Sequence, residues 1–169
     1  MFMDFIRNNK IAASVLTFLR IYIGWQWLTS GWGKITGGET FDASGYLTGA
    51  VNNEAVIETY PTYHAFIESF ALPNAGVFSF MVAWGEFLVG LGLILGVLTT
   101  AAAFFGIVMN FAFMFAGTVS SNPFLVLLTI FILVAGHNAG KFGGDYYVIP
   151  YLRAKLFKTK QQTPLSQTA

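Results

Sequence analysis

The stretch that decides the fold is "WGEFLVGLGLILG", residues 84–96. Every position is apolar or glycine except 86, which is a glutamate. With the apolar residues before it, the run extends over residues 76–98. That is enough to cross the roughly 30 Å hydrocarbon core of a bilayer, for which a helix needs about 20 residues. A lone charge at the bilayer centre costs roughly 2.5–3.5 kcal/mol on insertion scales. Glu86 therefore requires a partner from another helix.

The composition agrees with a membrane helix. The 169 residues are 55% hydrophobic and only 10% charged, with a mean hydropathy of +0.61. Soluble domains carry about 25% charged residues. So few charges cannot cover a water-facing surface. Cysteine is absent, which excludes disulfides, thiol redox chemistry and cysteine-ligated clusters in this chain. With two histidines, His64 and His137, no metal site is expected. Neither is a covalently bound cofactor or a nucleic-acid partner.

Four segments are long or apolar enough to read as spans: residues 11–35, 76–98, 100–117 and 124–140. The first contains Arg20 and lacks a small-residue cleavage site after it, so it reads as a retained span rather than a signal peptide. Thr99-Thr100 is a tight turn between the second and third, and Pro123 suits the first turn of the fourth. "GKFGGD" reads as the turn that ends the fourth helix. We expect an all-α membrane protein, a four-transmembrane-helix bundle forming one domain over residues 1–152. Residues 153–169 are expected to be a basic, polar, disordered cytoplasmic tail.

Lysine and arginine set the expected orientation. Arg7 and Lys10 precede the first helix; Lys141, Arg153, Lys155, Lys158 and Lys160 follow the fourth. Residues 36–75 hold Glu39, Asp42, Glu54, Glu58 and Glu68, with no lysine or arginine. The positive-inside rule places both termini in the cytoplasm. The acidic loop between helices one and two is then external. In "YPTYHAFIESFALPNAG", Tyr63, Phe66, Ile67 and Phe70 recur at helical spacing, predicting a short amphipathic helix that ends near Pro73. Another is expected over residues 44–56.

Counting 1.5 Å per residue from each expected entry point puts Arg20 roughly 14 Å deep and Glu86 roughly 15 Å deep. Asn110 reaches a similar level on helix three. The expected partner of Glu86 is therefore Arg20, with Asn110 completing the hydrogen bonds. Arg20, Gly24, Trp27, Gly31 and Lys34 form one stripe of helix one. Ala103, Gly106, Asn110, Phe113 and Gly117 form another on helix three. On helix two, Gly85, Gly92 and Gly96 offer small residues for close approach. Such an ion pair can simply lock the bundle, or it can be a functional site. His137 reads as a boundary or packing residue, or as a ligand. Trp25, Trp27 and Trp32 read as packing or interface residues, or as a stacking surface.

"LRIYIGWQWLTSGWGKI" (19–35), the Gly-Glu of "WGEFLVGLGLILG", Asn110, and "AGHNAGKFGGDYYVIPYL" (135–152) occur in this order on four spans. In this the chain resembles the DoxX/DoxD family of small four-helix membrane proteins. It is nearer the DoxD-like small subunit of thiosulfate:quinone oxidoreductase, over about residues 15–152. The resemblance implies a component of a quinone-linked membrane oxidoreductase of the thiosulfate:quinone type, in a prokaryotic plasma membrane. Quinone would be a bound co-substrate and a second redox subunit a partner.

On that reading Arg20 and Glu86 are the expected catalytic residues. Arg20 would stabilise the reduced ring and Glu86 would carry a proton. Trp27, Trp84, Asn110 and His137 would bind the quinone, with Trp25 and Phe87 as further walls. Lys34 would dock the anionic donor at the outer mouth. Two alternatives stand beside it: a non-catalytic scaffold that recruits redox partners, and a small lipid- or ligand-binding bundle. Oligomerisation is compatible with each.

Overall fold

The computed structural model describes residues 1–157, which fold as helices joined by short turns, with no strand among the described residues. Helix α1 (Phe2–Asn8) is followed at once by α2 (Lys10–Thr36). The break falls at Asn9, whose backbone is extended and whose side-chain oxygen accepts the N–H groups of Ile11 (2.7 Å) and Ala12 (3.3 Å). This is a side-chain cap on helix donors that would otherwise be orphaned. After α3 (Ser44–Val51), α4 (Glu54–Thr59) and α5 (Pro61–Phe66) come α6 (Ala75–Leu95) and α7 (Thr99–Phe115). The chain continues with α8 (Asn122–Ala135) and α9 (Asp145–Phe157).

Helices α2, α6, α7 and α8 close into a bundle in that order, α8 returning to α2. The core runs along its axis through Leu16, Ile23, Trp27, Val89, Leu93 and Ile132. Helices α2 and α6 make the most extensive contact, and glycine is the reason. A Cβ at Gly31 would overlap the backbone of Phe87, and one at Gly90 the backbone of Leu28. The two backbones touch, as small residues permit between apolar helices. Gly85 and Gly92 face α7 instead, against Met109 and Ala102.

Lys10–Thr36, Ala75–Leu95 and Asn122–Gly140 are long and apolar enough to cross a membrane. The last includes a 3-10 turn, Gly136–Gly140, that extends α8. The expected third span is shorter: α7 has 17 residues, roughly 26 Å. Outward-facing Phe18, Phe80, Leu88, Phe104 and Leu127 are exposed, and in a helix set of this hydropathy they meet lipid.

The loop between α2 and α6 is a folded cap on one end of the bundle. The expected 44–56 helix is two helices, broken at Asn52 and Asn53, where Asn53 accepts the N–H of Ala55 (3.0 Å). The predicted aromatic helix is present as α5, and it continues as a π turn, Ile67–Ala71, before Pro73. Cap and bundle share a small core of Ala43, Leu47, Ala50, Ile67, Ala71 and Ala116. Polar bonds fasten it: Tyr46 and Tyr63 donate to the carbonyls of Phe113 (3.2 Å) and Ala112 (3.1 Å) at the end of α7. The Ala43 N–H donates to Ser79 Oγ (2.8 Å).

The far end differs most from expectation. The chain does not become a tail at residue 153, because α9 continues to Phe157 despite Pro150 within it. The remainder of the expected tail, with Lys158 and Lys160, lies outside the described residues.

Candidate functional site

The register of α2 against α6 decides which charges meet. With Gly31 on Phe87 and Gly24 on Ile94, Arg20 falls beside Gly96, at the very end of α6. Glu86 lies near the other end of the contact. Its partner is Lys34, not Arg20: Lys34 Nζ donates to Glu86 Oε2 at 2.6 Å. Lys34 also donates to Ser30 Oγ (2.8 Å), one turn back on α2. The Glu86 side chain is 5% exposed and that of Lys34 24%, so the pair is largely removed from solvent. The expected Arg20–Glu86 pair fails because Ile11 does not mark the level at which α2 meets α6. Helix α2 is 27 residues long and α6 only 21, so the first turns of α2 overhang the end of α6.

Above the pair is a cavity of about 650 Å³. Helix α2 contributes Gln26, Trp27, Ser30 and Lys34, and α6 contributes Val82 and Glu86. The cap closes it with Phe41 and Tyr46, and Phe113 and the 118–122 turn complete the wall. The lining thus mixes aromatic and polar side chains. The Lys34 ammonium lies 5.4 Å from the centre of the Phe41 ring, and Trp27 lies 6.4 Å from Phe113.

Buried polar atoms without a partner among the described residues occur on Arg20, Trp27, Thr99 and Asn110. Trp27 is 3% exposed and its Nε1–H is unbonded, although it lines the cavity. Asn110 is fully buried, with both amide atoms unbonded. It does not complete the bonding of the ion pair as expected. It sits one residue beyond Met109, which packs on Gly85, so it lies close to the depth of Glu86. An unsatisfied buried donor or acceptor costs about 1–3 kcal/mol.

Arg20 belongs to a separate cluster. It is 1% exposed, its guanidinium packed on Gly96 and Gly143, with Nη2 donating to Phe142 O at 3.5 Å. Its Nε and Nη1 have no partner among the described residues. Asp145 lies near it without forming an ion pair and accepts the N–H groups of Leu98 (2.6 Å) and Thr99 (2.9 Å). Asp145 thereby caps α7 and favours its positive end. The Asp145 and Gly144 N–H groups donate in return to Gly96 O and Leu95 O. Gly96 (φ 64°) and Leu98 (φ 51°) both adopt the left-handed region there. A Cβ at Gly96 would run into Arg20.

The expected site residues therefore divide. Trp27, Lys34 and Glu86 line one cavity, with Asn110 at the same depth. Arg20 lies at the opposite end of the α2–α6 contact. Trp84 is 40% exposed on the outer face, tilted on Phe80 and edge-on to Phe87. Trp25 is also exposed. His137 is exposed on the 3-10 turn beyond α8. Sequence reasoning missed Ser30, Tyr46 and Phe113 as cavity residues, and Asp145 as the cap of α7. Ser30 was findable, since it lies one turn before Lys34.

A helical bundle with apolar outer faces and an ion pair lining a ligand-sized cleft defines a multi-pass membrane protein with a candidate site between its helices and cap. The chain belongs to the DoxX family: the family's model, described as DoxX, matches residues 15–119. The match covers Arg20, Trp27, Lys34, Glu86 and Asn110 and stops before Asp145. Neither the curated proteins nor the solved structures gave a match.

Proposed function

We propose that this DoxX-family protein is the quinone-binding component of a membrane oxidoreductase. The reading rests on one observation: a largely buried ion pair, Lys34–Glu86, lining a ligand-sized cavity whose wall includes Trp27, Phe41, Tyr46 and Phe113. A quinone supplies two-electron, two-proton chemistry and needs a flat apolar slot with hydrogen-bond donors for its carbonyls. The residues present fit that need. The Lys34 ammonium is a donor that lines the cavity, and Ser30 and Gln26 add a hydroxyl and an amide to its lining; the Trp27 ring is part of the wall, with its Nε1–H turned towards Gly106. Phe41, Tyr46 and Phe113 provide flat walls. Lys34 would hold a carbonyl oxygen and stabilise negative charge developing on it. Glu86, hydrogen-bonded to Lys34, would carry a proton to that oxygen.

Arg20 leaves the catalytic role expected of it, since it lies at the end of α6, away from the cavity, with Nη2 on the Phe142 carbonyl. Lys34 takes its place and moves from the outer mouth to the heart of the site. In this reading all four bundle helices span the membrane, α7 by local thinning of the bilayer. Both termini are cytoplasmic, the membrane is the plasma membrane of a prokaryote, and the subtype is the DoxD-like one, with thiosulfate as donor. The test is reduction of a chainless benzoquinone by thiosulfate in purified protein, with and without candidate partner subunits. Quinone binding that Lys34→Met abolishes supports the reading. Absence of any binding refutes it.

A second reading, a scaffold that recruits a redox partner, is favoured by a surface hollow of about 450 Å³ on the cap. Tyr60, Pro61, Tyr63, Phe66 and Phe115 line it. Quinone reduction that appears only with a second protein, and survives loss of the Lys34–Glu86 pair, supports that reading instead.

A further inference from the structure

A third hollow, of about 820 Å³, follows the α6–α7 seam. Its lining comes from α6, α7 and the turn joining them. Small residues, Gly85, Gly92, Ala101 and Ala102, leave the space, and Leu88 and Phe105 flank it. It has almost no polar lining and extends along α6 from Phe78 to Leu95, roughly 26 Å at the helical rise. That is most of the depth of a bilayer's hydrocarbon core.

This groove and the polar cavity are neighbours. Val82 and Phe113 line both. Phe113 meets Trp27 and Tyr46 through its ring, at 6.4 Å and 6.3 Å between centroids. Only these two side chains are common to the two hollows. One hollow offers charges and hydrogen-bond donors, the other an apolar trough of hydrocarbon length.

We propose that the α6–α7 groove seats the hydrocarbon chain of the ligand whose polar ring occupies the cavity, the chain passing between Val82 and Phe113. The inference rests on the function proposed above and adds a second site to it. The ligand is then a ring-headed lipid with a long chain, and the groove supplies binding that a soluble ring lacks. Burying a chain in protein rather than bulk lipid gains little from hydrophobicity, because both are apolar. What the groove contributes is shape: it holds the chain in one direction from the head.

The test is photoaffinity labelling in phosphatidylcholine nanodiscs. The probe is a benzoquinone ring carrying a decyl chain that ends in a diazirine. A phosphatidylcholine with a diazirine in its acyl chain reports ordinary lipid. Binding of the chainless ring is measured in parallel by tryptophan quenching. We expect quinone-probe labels to concentrate on α6 and α7 within the groove, and excess chainless ring to displace them. They should fall about tenfold when Ala101→Trp fills the trough or when Lys34→Met/Glu86→Leu removes the head site. Leu88→Trp, also at an exposed position, repeats the filling independently. Labels spread equally over Phe18 and Leu127 would overturn the proposal. So would groove labelling that is insensitive to the head-site variant and equal to that of the phospholipid probe. If the chainless ring itself does not bind, the functional reading fails first. If it binds while the labels spread, only the groove assignment fails.

Discussion

Lys34 Nζ and Glu86 Oε2 lie 2.6 Å apart, on antiparallel helices whose backbones touch at Gly31 and Gly90. The pair is 52 residues apart in sequence, and a glycine contact one turn away sets its geometry. Removing one partner of a buried ion pair leaves an uncompensated charge, a cost of about 3–5 kcal/mol. Lys34→Met and Glu86→Leu should each lower the unfolding temperature in detergent. The double variant should recover most of that loss while ligand binding stays absent. Additive losses in the double variant would contradict the pairing.

Asp145 and Arg20 are not equally engaged. Asp145 holds two backbone N–H groups of α7, whereas Arg20 has a single, long hydrogen bond to the Phe142 carbonyl. Asp145→Ala also uncaps α7, which costs about 1 kcal/mol or more for a capping carboxylate. Asp145→Ala should therefore destabilise the protein more than Arg20→Met, as read by thermal unfolding. The opposite order would show that Asp145 is a minor cap.

Glycine substitutions separate close approach from open space. Gly31→Ala and Gly90→Ala drive a methyl group into the opposing backbone. They should cost about 1–3 kcal/mol, the usual range for overpacking. At Gly49, on α3, a Cβ would meet nothing within 4 Å. Gly49→Ala should gain roughly 0.5–1 kcal/mol through helix propensity. Chemical-denaturant titration of the three variants distinguishes these signs.

Much of this was legible in the sequence, but the register was not. The apolar runs gave the bundle helices, and the stripe through Arg20, Trp27 and Lys34 gave the inward face of α2. That stripe carries two cations, and either can meet Glu86. Which one does depends on a slide of about ten residues, or 15 Å, that periodicity does not contain. The matching glycines held the information: Gly24 and Gly31 must lie against α6, and Gly90 against α2. Helix α9 was hidden for a different reason. Pro150 interrupts it and glycines precede it, so local signals argued for a loop, with Asp145 part of a turn. Trp84 and His137 looked like site residues because residue type alone does not tell an inward from an outward face.

The cap carries its own pH signature. Burial raises the Tyr46 hydroxyl above its ordinary value, partly offset by a hydrogen bond to Thr118. Burial, then repulsion from Tyr46, raises Tyr63. A raised folded-state value means that the neutral form is favoured on folding. The stabilisation is whole below the ordinary tyrosine value near 10 and is lost as pH rises through the higher folded values. Absorbance titration at alkaline pH should show two late tyrosines that Tyr46→Phe and Tyr63→Phe remove one at a time. Titration of every tyrosine at the ordinary value would contradict the docking of the cap on α7.

The central claim is that the cavity over Lys34 and Glu86 takes a ring. The most direct measurement is quenching in a protein that retains Trp27 alone, with Trp25, Trp32 and Trp84 changed to phenylalanine. A chainless benzoquinone should quench Trp27 saturably, and Lys34→Met/Glu86→Leu should abolish the saturation. Linear, collisional quenching, the same with and without the ion pair, would contradict the account.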